Sequence, residues 1–184
     1  MKKTDRRIAK TKKAFQEALL TLLREKELTE ITIRELCELA DVSRMSFYYH
    51  YETIFELYSE MESDFISKFK SIYNASENHN YAEASIALMK FFRENATATR
   101  YFAIKSKTQF HTVFAKILEE QFTEIVKFEM QVSELSEHTS YMISYHSAGI
   151  YAVYMKWILD NFSWQEEKIL ELIHAIDEAC DHLY

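Results

Sequence analysis

The chain contains no proline and a single glycine, Gly149, among its 184 residues. Tight hairpins, the turns of β-sandwiches and phosphate-binding loops depend on these two residue types. Helices joined by short polar turns are therefore the structure that this composition favours. With 48% apolar and 28% charged residues, the chain suits one large or two small globular domains with a substantial core. We predict an all-α protein.

Apolar residues recur at helical spacing along most of the chain, which predicts about nine helices. Thr32 followed by Glu35 forms a capping box that opens a short second helix. Asp41 and Val42 make a tight turn, and Ser43 caps a third helix. Two short helices joined by such a turn, after a first amphipathic helix, indicate a helix-turn-helix. Near the end of the chain, a further capping box is predicted at Ser163 and Glu166.

The two cysteines, Cys37 and Cys180, are far apart in sequence and lack metal-ligand or redox spacing, so a reducing cytoplasm is expected. The basic N-terminus runs straight into an amphipathic pattern, which is unlike a signal peptide. Residues 141–159 hold a single charge, Lys156, but also four tyrosines and several polar residues. We interpret this stretch as a buried or dimer-forming helix rather than a membrane span.

Charge is divided unevenly between the two ends of the chain. Residues 1–50 carry eleven Lys/Arg against eight Asp/Glu, whereas residues 51–184 carry eleven against twenty-one. Seven basic residues fall within the first thirteen positions, with Asp5 as the one acid. Such a cluster is typical of phosphate binding, although a solvated basic tail is the alternative.

The segment ITIRELCELADVSRMSFYYHYETIFEL, residues 31–57, resembles the DNA-binding region of the TetR/AcrR family of bacterial repressors. The positions that carry the resemblance are Thr32, Ala40, Val42, Ser43, Phe47, Tyr48, His50 and Tyr51. It implies a helix-turn-helix domain over residues 1–52, a helical ligand-binding and dimerisation domain over residues 53–184, and a homodimer on a palindromic operator in double-stranded DNA.

Two positions depart from the family pattern. The usual turn glycine is Asp41 here, which tolerates the left-handed conformation that the turn requires. The lysine that often holds a phosphate near the start of the fourth helix is Ile54. The basic N-terminal segment is the alternative source of that contact.

The predicted DNA contacts fall on the first helix and on the helix-turn-helix. Arg44 lies in the first turn of the recognition helix, where side chains reach base edges, and is the candidate reader of a guanine. Phe47 is expected to face the core. The full set is Lys12, Thr32, Arg34, Ser43, Arg44, Met45, Ser46, Tyr48, Tyr49 and His50.

Residues 140–173 resemble the C-terminal domain of a TetR subgroup from low-GC Gram-positive bacteria, through Gly149, Lys156, Trp157 and Ser163. A glycine within a helix costs about 1 kcal/mol against alanine, so Gly149 indicates a close approach between helices. The last two helices are expected to form a four-helix bundle with those of a second subunit. The predicted interface residues are Tyr145, Ala148, Gly149, Ala152, Ile169, Ile173 and Ile176.

Aromatic residues between the two ends are candidates for an effector cavity, although core packing is the alternative for most of them. His111 and His146 are the polar members that would orient a bound molecule. The predicted effector is a small apolar or aromatic molecule. The resemblance implies that such a molecule moves the fourth helix and so changes the separation of the recognition helices. The candidate residues are Phe65, Phe69, Phe92, Phe110, His111, Phe114, Tyr145 and His146.

Nothing in the sequence forms a nucleophile motif, a phosphate loop or a metal-binding histidine pair. We therefore predict a protein that is not an enzyme, with no catalytic residue, metal or cofactor and no membrane association. Two modes of regulation stay open: a repressor released by a small molecule, or an activator controlled by a protein co-inducer. A large exposed apolar patch favours the second, and a closed aromatic cavity favours the first.

Overall fold

The computed structural model describes residues 3–74, 81–105 and 109–180. These residues form nine α-helices and a short 3-10 turn, Leu28–Glu30, with no strand among them, which confirms the all-α prediction. The helices are α1 (Lys3–Leu22), α2 (Ile33–Ala40), α3 (Arg44–His50), α4 (Ile54–Asn74), α5 (Tyr81–Glu94), α6 (Ala96–Lys105), α7 (Gln109–Met130), α8 (Glu137–Leu159) and α9 (Glu166–Cys180).

The chain divides into two compact units, Met1–Phe65 and Ile66–Tyr184. The first contains α1 to α3 and the first half of α4, and the second contains the remaining helices. Because α4 contributes residues to both units, the division lies within this helix. The boundary expected between residues 52 and 53 concerns the functional domains, not the compact units, and it stays a prediction.

Local capping interactions determine the helix-turn-helix. The Thr32 hydroxyl accepts a hydrogen bond from the Glu35 backbone at 3.2 Å, and the Glu35 carboxylate accepts one from the Thr32 backbone at 3.0 Å. α2 ends at Asp41, whose φ of 52° and ψ of 43° are left-handed. The Ser43 hydroxyl then accepts from the Ser46 backbone at 3.1 Å and caps α3. The predicted capping box, turn and cap are all confirmed.

An aromatic core positions α3 in the first unit. Phe47 is fully buried, and its ring centroid lies 5.4 Å from that of Phe15 on α1 in an edge-to-face arrangement. Tyr51, which follows α3, packs 5.7 Å from Phe47. The core placement expected for Phe47 is confirmed, and it leaves the opposite side of α3 in solvent.

The second unit is built around a cluster of buried rings on α4, α5, α7 and α8. The centroids of its neighbouring rings lie 5.3 to 6.5 Å apart. The members of this aromatic cluster are Phe69, Phe92, Phe110, Phe114 and Tyr154. Along α8 itself, buried polar residues such as His146 and Ser147 interrupt the apolar sequence. In the described part of the chain, no helix combines the length and apolarity that crossing a membrane demands.

The capping box predicted at Ser163 and Glu166 is wrong. α9 begins at Glu166, two residues later than such a box requires, because Asn161 and Phe162 take left-handed conformations and lengthen the turn after α8. Glu166 does not reach back to Ser163 but forms an ion pair with Arg93 on α5. A long-range partner therefore replaces the local cap.

Candidate nucleic-acid interface

The outward side of α3 carries large side chains that are exposed to solvent in the first unit. Met45 is 85% exposed, Tyr49 77% and Tyr48 60%, and Arg44 is exposed beside them. Since Phe47 on the inward side fixes the helix against α1, these side chains are presented on a rigid support. A cluster of exposed apolar and cationic groups of this kind is typical of a binding surface.

A groove between α1 and α3 lies beside this exposed side. It combines a guanidinium, four hydroxyls and an imidazole, which are groups that hold phosphate and sugar in protein–DNA complexes. The residues that line it are Arg7, Ile8, Thr11, Ser43, Met45, Ser46, Tyr49 and His50. Five of the predicted DNA contacts therefore meet here. Arg7, Ile8 and Thr11 were not predicted individually, although the basic N-terminal cluster pointed to Arg7.

A second, shallower depression surrounds the turn between α2 and α3. Arg34 and Arg44 lie on its two sides, and Ser43 belongs to both depressions. Arg34 pairs with Glu38 one helical turn away at 3.3 Å, with both side chains about two-thirds exposed. Thr32 is exposed at the N-terminus of α2. Of the two predicted contacts at α2, Arg34 therefore lines the depression and has an acidic neighbour, whereas Thr32 lies at the other end of the helix.

Lys12, which is a predicted DNA contact, forms an ion pair within the first unit. Its ammonium lies 2.7 and 3.0 Å from the two carboxylate oxygens of Glu60 on α4, with each side chain 33% exposed. The same nitrogen lies 5.2 Å from the ring centroid of Tyr51, whose hydroxyl donates to Glu60 at 2.9 Å. Sequence reasoning missed Glu60, because no spacing along the chain relates positions 12 and 60.

These contacts affect two ionisable groups at the end of α3. Burial, followed by the hydrogen bond and the charge of Glu60, raises the pKa of Tyr51 well above its ordinary value. Burial and then the charge of Lys12 lower the pKa of His50, while Glu60 opposes them. At neutral pH the uncharged imidazole is therefore favoured, which has one donor and one acceptor nitrogen.

The effector candidates lie in four places. Phe69, Phe92, Phe110 and Phe114 meet in the aromatic cluster of the second unit, and the His111 ring nitrogen is hydrogen-bonded to the Tyr151 hydroxyl at one side of it. His146 is buried against Phe122, with centroids 4.6 Å apart. Tyr145 is 75% exposed on α8, and Phe65 is a buried residue of the first unit.

Two buried hydroxyls beside the cluster were not predicted. Ser85 on α5 and Tyr154 on α8 are fully buried, and neither hydroxyl has a hydrogen-bond partner among the described residues. Burial raises the pKa of Tyr154 to about 12; the nearby Ser85 hydroxyl opposes this rise without the geometry of a hydrogen bond. Sequence reasoning could not identify them, since both stand in apolar helical patterns that predict core.

The candidate dimer residues separate into exposed and buried ones. Tyr145, Ala148, Gly149 and Ala152 lie on one exposed face of α8, and a Cβ added to Gly149 would meet no atom within 4 Å. Nothing described within the protomer therefore requires glycine there. On α9, Ile176 is 38% exposed, whereas the other two candidates are buried within the protomer; these are Ile169 and Ile173.

Comparisons with known proteins agree with this architecture. Residues 79–177, more than half of the chain, match a family model described as a transcriptional regulator C-terminal region, TetR_C_8. Among solved structures, the dihydroxyacetone kinase operon activator DhaS is similar, with a TM-score of 0.66 and 19% identity over 95% of this chain and 97% of that one. At this identity the likeness shows the fold alone. No curated protein sequence matches the chain.

Proposed function

The chain belongs to the TetR family of transcriptional regulators, and from this premise we propose that it binds a palindromic operator as a homodimer and represses transcription until a small molecule releases it. The observation that carries the proposal is the exposed side of α3, where a cation and three large side chains extend from a helix fixed by Phe47. In this proposal the protein acts in the cytoplasm and has no catalytic role. Residues 1–52 supply the DNA-binding domain, and residues 53–184 supply regulation and dimerisation.

Each predicted contact has a role in this proposal. Arg44 reads a guanine through paired donors, while Met45, Tyr48 and Tyr49 meet base edges and thymine methyl groups in the major groove. The remaining contacts hold phosphates and fix the register of the protein on the duplex. These are Lys12, Thr32, Arg34, Ser43, Ser46 and His50.

The exposed face of α8 supports the proposed dimer. Small side chains at 148, 149 and 152 allow two helix backbones to approach closely, and Tyr145 adds apolar area beside them. A two-fold homodimer presents two copies of α3 to DNA, and this symmetry requires a palindromic operator. The subgroup of low-GC Gram-positive bacteria is part of this proposal and is supported by Gly149, Lys156, Trp157 and Ser163.

The aromatic cluster supports a small apolar or aromatic effector. Because an unpaired buried hydroxyl costs free energy, a molecule that hydrogen-bonds Ser85 and Tyr154 would gain affinity. His111 and Tyr151 form a second polar pair beside the same rings. An effector that prefers one position of α4 would shift the separation of the recognition helices.

Activation with a protein co-inducer is the second candidate function. The name of the solved neighbour, an operon activator, supports it. Exposed apolar residues at the end of α7 and just after it offer a surface for a protein partner, namely Phe128, Met130 and Val132. A reporter under the operator distinguishes the two modes, since deletion of the regulator raises expression for a repressor and lowers it for an activator.

Selection of bound sequences from a random duplex pool, at near-physiological salt, tests the proposal. Enrichment of a palindrome by the purified protein is the expected result. A folded dimer that enriches no sequence would contradict autonomous operator binding. It would then favour a regulator that requires a protein partner.

A further inference from the structure

We infer that Glu60 occupies the place of a DNA phosphate in the free protein: it binds the Lys12 ammonium and releases it to the DNA backbone when the duplex is bound. The inference rests on the proposed DNA-binding function. It assigns Glu60 as a positioning residue on α4 that sets how strongly α1 binds DNA.

The geometry resembles phosphate recognition. Both oxygens of Glu60 contact the Lys12 ammonium, at 2.7 and 3.0 Å, as two phosphate oxygens would. Tyr51 forms the third side, because its ring lies under the ammonium and its hydroxyl donates to Glu60 at 2.9 Å. When Lys12 leaves, the carboxylate therefore keeps one hydrogen bond.

Lys12 lies at the edge of the proposed DNA-binding groove. Its sequence neighbour Thr11 and the Tyr51 neighbour His50 both line the groove between α1 and α3. The Tyr51 ring links the two groups, because it lies 5.2 Å from the Lys12 ammonium and 6.2 Å from the His50 ring, measured to the ring centroids. In the proposed exchange, Lys12 moves from Glu60 to a phosphate at this groove.

Partial exposure allows water to reach both members of the ion pair. Each side chain is 33% exposed, so water can solvate the Glu60 carboxylate in part when Lys12 leaves it. A DNA phosphate, which belongs to a dense line of negative charge, competes well for the same ammonium. Because Glu60 is on α4, any movement of this helix changes the competition.

Salt-dependent binding to a mixed-sequence duplex tests the exchange, since phosphate contacts do not depend on sequence. Affinity is measured for the wild type, Lys12→Gln, Glu60→Gln and the double variant between about 50 and 200 mM salt. Glu60→Gln keeps an oxygen that can accept from Tyr51. Asp64→Asn, one turn further along α4, is the matched control for the loss of one negative charge.

Exchange predicts that Glu60→Gln tightens binding by roughly three- to tenfold, beyond any gain from Asp64→Asn, and that Lys12→Gln removes this extra gain. It also predicts that the slope of log affinity against log salt falls in magnitude by about 0.9 on Lys12→Gln, in both the wild-type and the Glu60→Gln background. The slopes of wild type and Glu60→Gln should be the same.

Two results would overturn the inference while leaving the proposed function intact. If Lys12→Gln changes no slope in either background, the pair is only structural. If the slope falls only in the Glu60→Gln background, Lys12 stays with Glu60 on DNA and no exchange occurs. A wild-type protein that binds no duplex would instead overturn the proposed function together with the inference. If Glu60→Gln does not fold, the comparison of Lys12→Gln with the wild type still measures the change in the slope of log affinity against log salt.

Discussion

Arg44 is the residue on which sequence preference is expected to depend most. It is exposed at the first position of α3 and belongs to the depression that borders Arg34. Replacing Arg44 with alanine should lower affinity for the selected operator by about 10- to 100-fold, because a bidentate contact to guanine discriminates by about 1–3 kcal/mol. Affinity for mixed-sequence DNA should change little.

Fluorescence anisotropy with both duplexes measures this difference. Arg34→Ala is the matched control, since a phosphate contact should be lost about equally on the two duplexes. Equal losses for Arg44→Ala would show that Arg44 positions the protein rather than reads a base.

Tyr154 offers a second test at the scale of one hydroxyl. Its hydroxyl is buried without a hydrogen-bond partner among the described residues, and such a group costs about 1–3 kcal/mol. Tyr154→Phe should therefore leave the free energy of unfolding unchanged or raise it by up to about 1 kcal/mol. An effector that hydrogen-bonds this hydroxyl should bind the variant more weakly.

Tyr151→Phe is the control for Tyr154, because the Tyr151 hydroxyl is bonded to His111. Urea unfolding at matched protein concentration should show a loss of about 1 kcal/mol for this variant. A comparable loss for Tyr154→Phe would mean that its hydroxyl is structurally bonded and is not available to an effector.

Residues with local partners were predictable from sequence, whereas those with distant partners were not. Thr32, Asp41 and Ser43 determine the helix-turn-helix through neighbours three or four positions away. Glu60 contacts a side chain 48 positions away, which leaves no pattern in the chain. The same distinction explains why the recognition helix was predicted and the environment of Lys12 was not.

The ends of the helices show the same contrast at the next scale. α2 begins where its capping box predicts, because nothing competes with Thr32 for Glu35 except the additional cation Lys26. α9 begins later than predicted, because Glu166 forms an ion pair with Arg93 on α5 instead of a capping box. Glu35 bonds Lys26 through one carboxylate oxygen and Thr32 through the other. A capping pattern therefore predicts a helix start when a second partner leaves one oxygen of its acidic residue for the cap.

Glu35 in α2 makes stability depend on acid pH. Hydrogen bonds from Lys26 and then Thr32 lower the pKa of Glu35 from 4.5 to about 2. Because the folded pKa lies below the unfolded one, this contribution is fully present above about pH 4.5 and is lost as pH falls towards 2. Glu35→Gln should therefore flatten the decline of stability within this window.

Thermal unfolding measured from about pH 6 to about pH 2, in steps of about half a pH unit, tests this expectation. Glu38→Gln is the control, since it removes a carboxylate from the same helix that pairs with Arg34 instead. A profile for Glu35→Gln that parallels the wild type would contradict the contribution assigned to the hydrogen bonds of Glu35 with Lys26 and Thr32.

At the scale of the whole molecule, the all-helical architecture followed from composition and spacing, because a chain without proline and with one glycine has few alternatives. The family followed from a local motif. The face that joins two protomers is not determined by local pattern in the same way: two of the isoleucines predicted for it are buried in the protomer, while the α8 residues are exposed. Periodicity identifies a buried face but does not say which molecule buries it.

Gly149 separates the two possibilities for α8. Within the protomer, an alanine at 149 has open space for its methyl group and should stabilise the helix by about 1 kcal/mol. If two copies of α8 approach closely at this point, a larger side chain must separate them. Gly149→Leu should then weaken the dimer by about 10- to 100-fold, the range expected for overpacking by about 1–3 kcal/mol.

Sedimentation equilibrium over a range of concentrations measures the dimer constant for the wild type, Gly149→Ala and Gly149→Leu. Weakening that increases with side-chain size, with helicity retained, places α8 at the interface. Operator binding by Gly149→Leu should then recover at high protein concentration, because mass action restores the dimer. A dimer constant unchanged by leucine, together with higher stability, would mean that this face of α8 contacts solvent or another partner and that the two-fold axis lies elsewhere.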